Sequence, residues 1–234
     1  MANERDRAIA VIPARGGSKR IPKKNARNFQ GRPIISYIIE AAFSSNLFSE
    51  VVVSTDSLEI KELAESYGAT VPWIRASQLA DDFSTTDQVV VDAISNMNNL
   101  GHVFQDVACL YATTPFIEGN DLVNAFQIFK ESKIYPIMAV TKTRFPIERA
   151  YRELIEGVIA PINIENYLNR SQDFAPTYLD AGQFYFASCE MWSKIEIEGL
   201  VKAKYYELPW YKSIDIDTEE DWEMAELIFR TLKK

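Results

Sequence analysis

From Ala8 to Val140 the chain alternates short apolar runs with stretches whose apolar residues recur at helical spacing. Ala8-Ile9-Ala10-Val11-Ile12-Pro13 is continuously apolar, and residues 51–54, 70–74, 107–111 and 137–140 read the same way. Between them, helical period is carried by Ile34, Ile35, Ile38 and Ile39; by Leu58, Leu63 and Ala64; by Val89, Val90, Ala93 and Met97; and by Leu122, Val123, Phe126 and Phe129. Strands without polar alternation belong to sheets covered on both faces. The βαβα order therefore predicts an α/β fold, a doubly wound and mostly parallel sheet flanked by helices. Ligands of such sheets bind beyond the carboxyl ends of the strands.

The alternation stops at Thr143. Residues 143–180, with Pro146, Pro161, several aromatics and mixed charges, read as an insert, either a lid or a subunit contact. Strands are expected again at 183–187 and 204–208. A final helix is marked by Trp222, Ala225, Ile228, Phe229 and Leu232, and Thr218 and Asp221 have near capping-box spacing at its start. The 234 residues are expected to form a single domain. With 47% apolar and 25% charged residues the chain is ordinary globular material. No run approaches a membrane span, and the acidic start followed by a short apolar run does not read as a signal peptide. Two cysteines, Cys109 and Cys189, suit a reduced, cytoplasmic protein, and one histidine, His102, argues against a multi-histidine metal site.

The net charge of −8 is unevenly spread. Residues 7–39 contain no acid and eight bases: Arg7, Arg15, Lys19, Arg20, Lys23, Lys24, Arg27 and Arg32. An acidic protein is a poor partner for nucleic acid. A basic loop within one suits a small polyanion, or is simply a solvated loop.

Three segments carry candidate chemistry. Ala14-Arg15-Gly16-Gly17-Ser18-Lys19 follows the first strand directly. It matches neither the dinucleotide fingerprint nor a Walker A loop. Adjacent glycines would let backbone N–H groups approach an anion, while Arg15 offers a planar fork and Lys19 a compact charge. In Asp215-Ile216-Asp217, alternation puts both carboxylates on one face, with Cα atoms roughly 7 Å apart. That pair suits a divalent ion bound to phosphates, or Asp217 or Thr218 merely caps the last helix. Finally, Asp180-Ala181-Gly182-Gln183-Phe184-Tyr185, after Arg170-Ser171-Gln172-Asp173, is either a polar sugar pocket or an ordinary turn.

Together these residues resemble the sugar-nucleotide cytidylyltransferases, the CMP-sialic acid synthetase family. The resemblance rests on Ile12 to Lys19, Lys24-Asn25, Val53 to Asp56, Arg75-Ala76-Ser77-Gln78-Leu79-Ala80 and Asp215 to Asp217, in that order. Tyr111-Ala112-Thr113-Thr114-Pro115 and residues 180–185 are similar to the pseudaminic acid branch, with Ala112 and Leu179 as departures.

The resemblance implies a Rossmann-like nucleotidyltransferase fold and a reaction in which CTP and a nine-carbon 2-ulosonic acid give a CMP-sugar and diphosphate. It implies that Ala14, Arg15, Gly16, Gly17, Ser18, Lys19, Lys24, Asn25, Arg75 and Thr86 bind the nucleotide, with Arg15 and Lys19 also catalytic. Asp215 and Asp217 would hold Mg²⁺, or Mn²⁺. Tyr111, Arg149, Arg170, Gln172, Asp180, Gln183 and Tyr185 are expected around the sugar, and a homodimer is expected. Sialic or legionaminic acid stands as the alternative substrate, and a nucleotide-binding regulator without catalysis as the alternative of another class.

Overall fold

The first apolar run is strand β1 (Ala8–Pro13), buried along almost its whole length, in a computed structural model that describes residues 8–132, 134–198 and 202–232. Arg7 and the acidic start lie outside the described residues. The chain continues through a two-residue hairpin, β2 (Asn28–Phe29) and β3 (Arg32–Pro33), to α1 (Ile35–Ser44), β4 (Phe48–Ser54), α2 (Leu58–Ser66), α3 (Thr86–Asn99) and β5 (Asp106–Leu110). Then come α4 (Gly119–Ser132), β6 (Ile137–Lys142), the hairpin β7 (Tyr151–Ile155) and β8 (Val158–Pro161), β9 (Tyr178–Ser188), α5 (Cys189–Glu198), β10 (Lys204–Glu207) and α6 (Glu219–Leu232).

The main sheet has the order β10-β6-β9-β5-β1-β4. Strand β1 runs parallel to β4 and β5, and β10 parallel to β6; β9 lies between β5 and β6, antiparallel to both. The mostly parallel sheet is as expected. The direction of β9 is not, and its onset at Tyr178 lies inside the expected insert.

Residues 70–74 do not form the expected strand. Thr70 makes a single bridge to Val52, and Pro72 then removes a ladder donor. Helix α5 is not among the elements expected from the sequence: Met191, Trp192 and Ile195 stand at helical spacing, but Ile195-Glu196-Ile197-Glu198 alternates as a strand would.

The helices cover both faces. Ile35, Ile38 and Ile39 of α1, Ile60 and Ala64 of α2, and Leu122, Ala125 and Phe129 of α4 pack on one side. Val90, Ala93 and Met97 of α3 and Trp192 of α5 pack on the other. A third cluster holds α6. The Phe29 ring stands edge-on to Tyr37, Phe116, Trp222 and Phe229, with centroids 5.3–6.5 Å apart. Fully buried Ile216 belongs to this cluster and Ile214 packs against it. The two isoleucines thus fix a segment with no ladder of its own, and the alternation turns the intervening Asp215 outward.

Two irregularities shape the cleft. Met138 pairs with Tyr185 but Val140 with Asp180, so β9 bulges over residues 181–184, where Gly182 has φ of +59°. Such bulges re-aim side chains beside binding sites. At the other side, Thr85 caps α3 through a capping box with Gln88, which sets the helix N-terminus over the carboxyl end of β1.

Candidate active site

The carboxyl ends of β1 and β5 open into a cavity of about 220 Å³ whose lining includes Arg15, Asn25, Arg75, Asp82, Thr86 and Tyr111. The fold thus gathers five of the residues expected at the nucleotide or sugar from four separate stretches of sequence. The N-terminus of α3 lines the same cavity and adds partial positive charge.

The loop after β1 is held from behind. Ala14 is buried and its N–H donates to Ser54 O at 2.9 Å. The Gly16 N–H donates to Asp56 Oδ1 at 2.8 Å, and that of Ser18 to Gly16 O at 3.1 Å. Gly16 is small for a different reason than anion approach: a Cβ there would stand 3.0 Å from the Ser57 Cβ. Gly17 faces open space. What the loop offers a ligand is therefore chiefly side chains and the backbone at Gly17. Asn25 is nearly buried and its Nδ2 donates to Arg15 O at 2.9 Å, which fixes the curl of the loop.

Arg75 is the buried cation of the cavity, 4% exposed. Its backbone N–H donates to Thr55 O at 2.8 Å, and its guanidinium stands 4.0 Å from Asp56. Its Nε is buried without a partner. Burial lowers its pKa, Asp56 opposes that, and Arg15 adds to it. A guanidinium stays charged regardless, so this is a desolvated charge with donors to spare at the cavity wall.

Arg15 and Lys19 are exposed and both are joined to Asp82. Arg15 Nη1 donates to Asp82 Oδ1 at 2.8 Å and to the Asp81 carbonyl at 2.7 Å, and Lys19 Nζ pairs with Asp82 Oδ2. The Lys19 hydrogen bond and then Arg15 hold the Asp82 carboxyl below its usual range. Asp81 is used differently: its Oδ1 accepts from Phe83 N, Ser84 N and Ser84 Oγ, which closes the turn.

On the other wall, Thr86 Oγ1 and Tyr111 Oη are 3.0 Å apart, and the Tyr111 and Tyr185 rings meet edge to face. Tyr185 Oη donates to Asp180 Oδ2 at 2.5 Å, while the Gly182 N–H donates to Asp180 Oδ1 at 2.9 Å. Burial pushes the Tyr111 hydroxyl up to about 12. Burial, and then Tyr111 and Asp180, push Tyr185 up as well. Both stay protonated donors at neutral pH. Gln183 is fully buried and turned inward: its Nε2 donates to Ala181 O at 2.8 Å and Ile214 O at 3.4 Å. It joins β9 to the carboxylate segment, and its Oε1 is buried without a partner.

Asp215 and Tyr111 both lie close to Gly182; a Cβ on the glycine would stand 3.8 Å from Asp215 Oδ2 and 4.0 Å from the tyrosine ring. Desolvation, and then Asp217, raise the Asp215 pKa, partly offset by Lys24 and Arg20. Asp217 Oδ1 accepts from Arg20 Nη2 at 2.8 Å and from Lys24 Nζ at 3.2 Å. Lys24 also donates to Ile216 O at 2.6 Å, so it braces this segment rather than lining the cavity. Capping of α6 falls to Thr218 and Asp221, whose carboxylate accepts from Asp217 N, Thr218 N and Thr218 Oγ1. Asp217 and Asp215 are thereby spared that duty. Among the described residues no three His, Cys, Asp or Glu side chains are grouped to hold a metal.

Arg149, Arg170 and Gln172 sit on the exposed insert. Arg149 donates to Ser171 Oγ and Arg170 to Asp173 Oδ2, both within the insert itself. One chain does not bring them to Asp180 and Tyr185 through any of these bonds.

Sequence reasoning missed the parts played by Asp56, Arg20 and Asp82. The available signal was Asp81-Asp82, adjacent acids closing the segment that begins at Arg75 in a chain whose first stretch is wholly basic.

A family model described as cytidylyltransferase matches residues 9–171. The chain is 37% identical over 222 residues to a pseudaminic acid cytidylyltransferase of Campylobacter jejuni, covering 95% of this chain and 96% of that one. It is 32% identical to a CMP-N,N'-diacetyllegionaminic acid synthase of Legionella pneumophila, covering 94% and 95%. A CMP:2-keto-3-deoxy-manno-octonic acid synthetase solved with CTP shares the fold with a TM-score of 0.72 at 16% identity, covering 97% of this chain and 100% of that one. A sheet, a loop and a cavity of this kind, together with likeness over almost the full length, identify the chain as a member of the cytidylyltransferase family.

Proposed function

We propose that this cytidylyltransferase activates pseudaminic acid, CTP and the sugar giving CMP-pseudaminic acid and diphosphate. The observation that carries the reading is the cavity itself, where Arg15 and Arg75 stand with Asn25, Thr86 and Tyr111, and Gly182 lies close to both Tyr111 and Asp215. The sugar's anomeric oxygen attacks the α-phosphorus, the bond to the β-phosphate oxygen breaks, and diphosphate leaves. Arg15 and Lys19 receive the triphosphate charge, and buried Arg75 adds a charge that water does not screen. Asn25 and Thr86 orient the cytidine.

Asp215 and Asp217 fit Mg²⁺, or Mn²⁺ in its place. They are hard oxygen donors, crowded by like charge, released from helix capping and too few to close a coordination shell, as suits an ion that keeps waters and phosphates. Bound there, the ion would neutralise phosphate charge and acidify the sugar hydroxyl. Lys24 and Ile216 hold the two carboxylates in place, and Gln183 ties their segment to β9.

The preference for pseudaminic acid is supported by the full-length likeness to the Campylobacter enzyme and by the Tyr111–Tyr185–Asp180 network, which presents fixed donors and acceptors. A pocket built to hydrogen-bond one stereochemical pattern leaves its own polar groups unpaired with another. The test is diphosphate release with CTP, Mg²⁺ and a panel of pseudaminic, legionaminic and N-acetylneuraminic acids. Pseudaminic acid should give the highest kcat/KM; a preference for either other acid reassigns the sugar and leaves the nucleotide reading standing.

The same reading takes the protein as a cytoplasmic homodimer. Leu154, Ile155, Val158 and Ile159 are exposed on the β7–β8 hairpin, an apolar ribbon suited to a second copy. Cytoplasmic placement agrees with two unpaired cysteines and with CTP as substrate. Among the described residues no helix is long and apolar enough to cross a membrane.

A further inference from the structure

We propose that Asp82 is an internal counter-anion of the nucleotide site, holding Arg15 and Lys19 until a triphosphate takes both cations and reclaiming them as diphosphate leaves. The inference rests on the reading that Arg15 and Lys19 bind the triphosphate.

The geometry separates Asp82 from its neighbour. Asp81 builds the turn, accepting three hydrogen bonds from Phe83 and Ser84. Asp82 gives one carboxylate oxygen to Arg15 and the other to Lys19. Two cations on one glycine-containing loop are thereby held about a single anion, 63 and 67 residues further along the chain. Like charges brought together without an anion repel, so the pairing keeps both heads in place.

The pairing is also easy to exchange. Asp82, Arg15 and Lys19 are all more than a third exposed, and exposed ion pairs are individually weak. A triphosphate carries more charge and more acceptor oxygens than one carboxylate, so it wins both cations. The carboxylate then faces phosphate across a short gap, and this repulsion favours release of diphosphate once the α-phosphorus bond has broken. Arg15 keeps its bond to the Asp81 carbonyl throughout, so the loop does not lose its tether.

Removing a carboxylate that binds two ligand-holding residues should therefore strengthen ligand binding. Asp82→Asn keeps the size and removes the charge. Titration of wild type, D82N, K19A and the double variant with CTP, inorganic tripolyphosphate, diphosphate and cytidine tests it. D82N should bind CTP and tripolyphosphate about three- to tenfold more tightly, the scale of one or two exposed ion pairs. Inhibition of turnover by diphosphate should strengthen by a similar factor, and cytidine binding should not change. In the K19A background the gain should shrink, because one of the two cations is gone. Weaker or unchanged CTP binding in D82N, with K19A losing CTP as expected, overturns the counter-anion role alone. Undiminished CTP binding in K19A overturns the nucleotide reading and this inference with it.

Discussion

Gly182 stands against Asp215, with its backbone in the left-handed region at φ of +59° and room for a Cβ 3.8 Å from the carboxylate. That distance is ordinary contact, so space alone does not forbid a side chain. The φ value does the selecting, because an L-residue there is strained by about 1 kcal/mol. The same glycine donates its N–H to Asp180, so one residue joins the turn of β9 to the carboxylate segment. Gly182→Ala should lower the melting temperature by a few degrees and kcat by at least about tenfold. Melting curves and steady-state turnover check both; unaltered turnover would mean that the turn does not set the active geometry.

Arg75 makes a second test, because its guanidinium is buried with an unpartnered Nε. Lysine keeps the charge but loses the fork. Arg75→Lys should raise KM for CTP by about tenfold or more, with the thermal midpoint moving little. Equal KM values in the two proteins would remove Arg75 from the nucleotide site.

Asp215 yields a pH dependence. Its pKa is raised by desolvation and then by Asp217, so the folded state holds the proton more tightly than the unfolded chain does. The stability this contributes is fully present below the unfolded pKa, about 4, and is lost as pH rises through the folded value. At neutral pH without divalent ions the ionised carboxylate is therefore a small cost. Asp215→Asn should raise the melting temperature there by about 1–3 °C, limited by solvent screening, and the gain should vanish near pH 4. Addition of Mg²⁺ should stabilise wild type more than D215N. A variant less stable than wild type at neutral pH would show that the carboxylate is not crowded.

The hairpin offers a test of assembly. Ile155 and Ile159 are 74% and 60% exposed in one chain. If the proposed dimer forms through this hairpin, replacing both with Glu should leave the fold intact and convert that dimer to a monomer in sedimentation. Unchanged dimers would move the contact elsewhere.

Much of this molecule is legible before its coordinates. Strands β1, β4, β5 and β6 each carry a short continuous apolar run, residues 8–13, 51–53, 107–110 and 137–140, as burial on both faces requires. Residues 70–74 looked alike but contain Pro72, whose missing donor leaves a single bridge. The direction of β9 is not written in its composition, because an antiparallel strand buried between two others has the same apolar demand as a parallel one. At the cavity, Arg15 is legible from its type and its place after β1, whereas Asn25, Arg75, Thr86 and Tyr111 are legible only through the family resemblance. What could not be read is pairing at a distance. Asp82 meets Arg15 across 67 residues and Lys24 meets Asp217 across 193, and only the folded sheet brings either pair together.

The most direct measurement follows diphosphate and CMP-sugar formation from CTP and pseudaminic acid in wild type, K19A and D217N, with Mg²⁺ and with excess chelator. The account predicts equal amounts of both products in wild type with Mg²⁺, none with chelator, and losses of at least about a hundredfold in each variant while all three proteins melt alike. Full turnover in chelator, or wild-type rates in K19A and D217N, would contradict it.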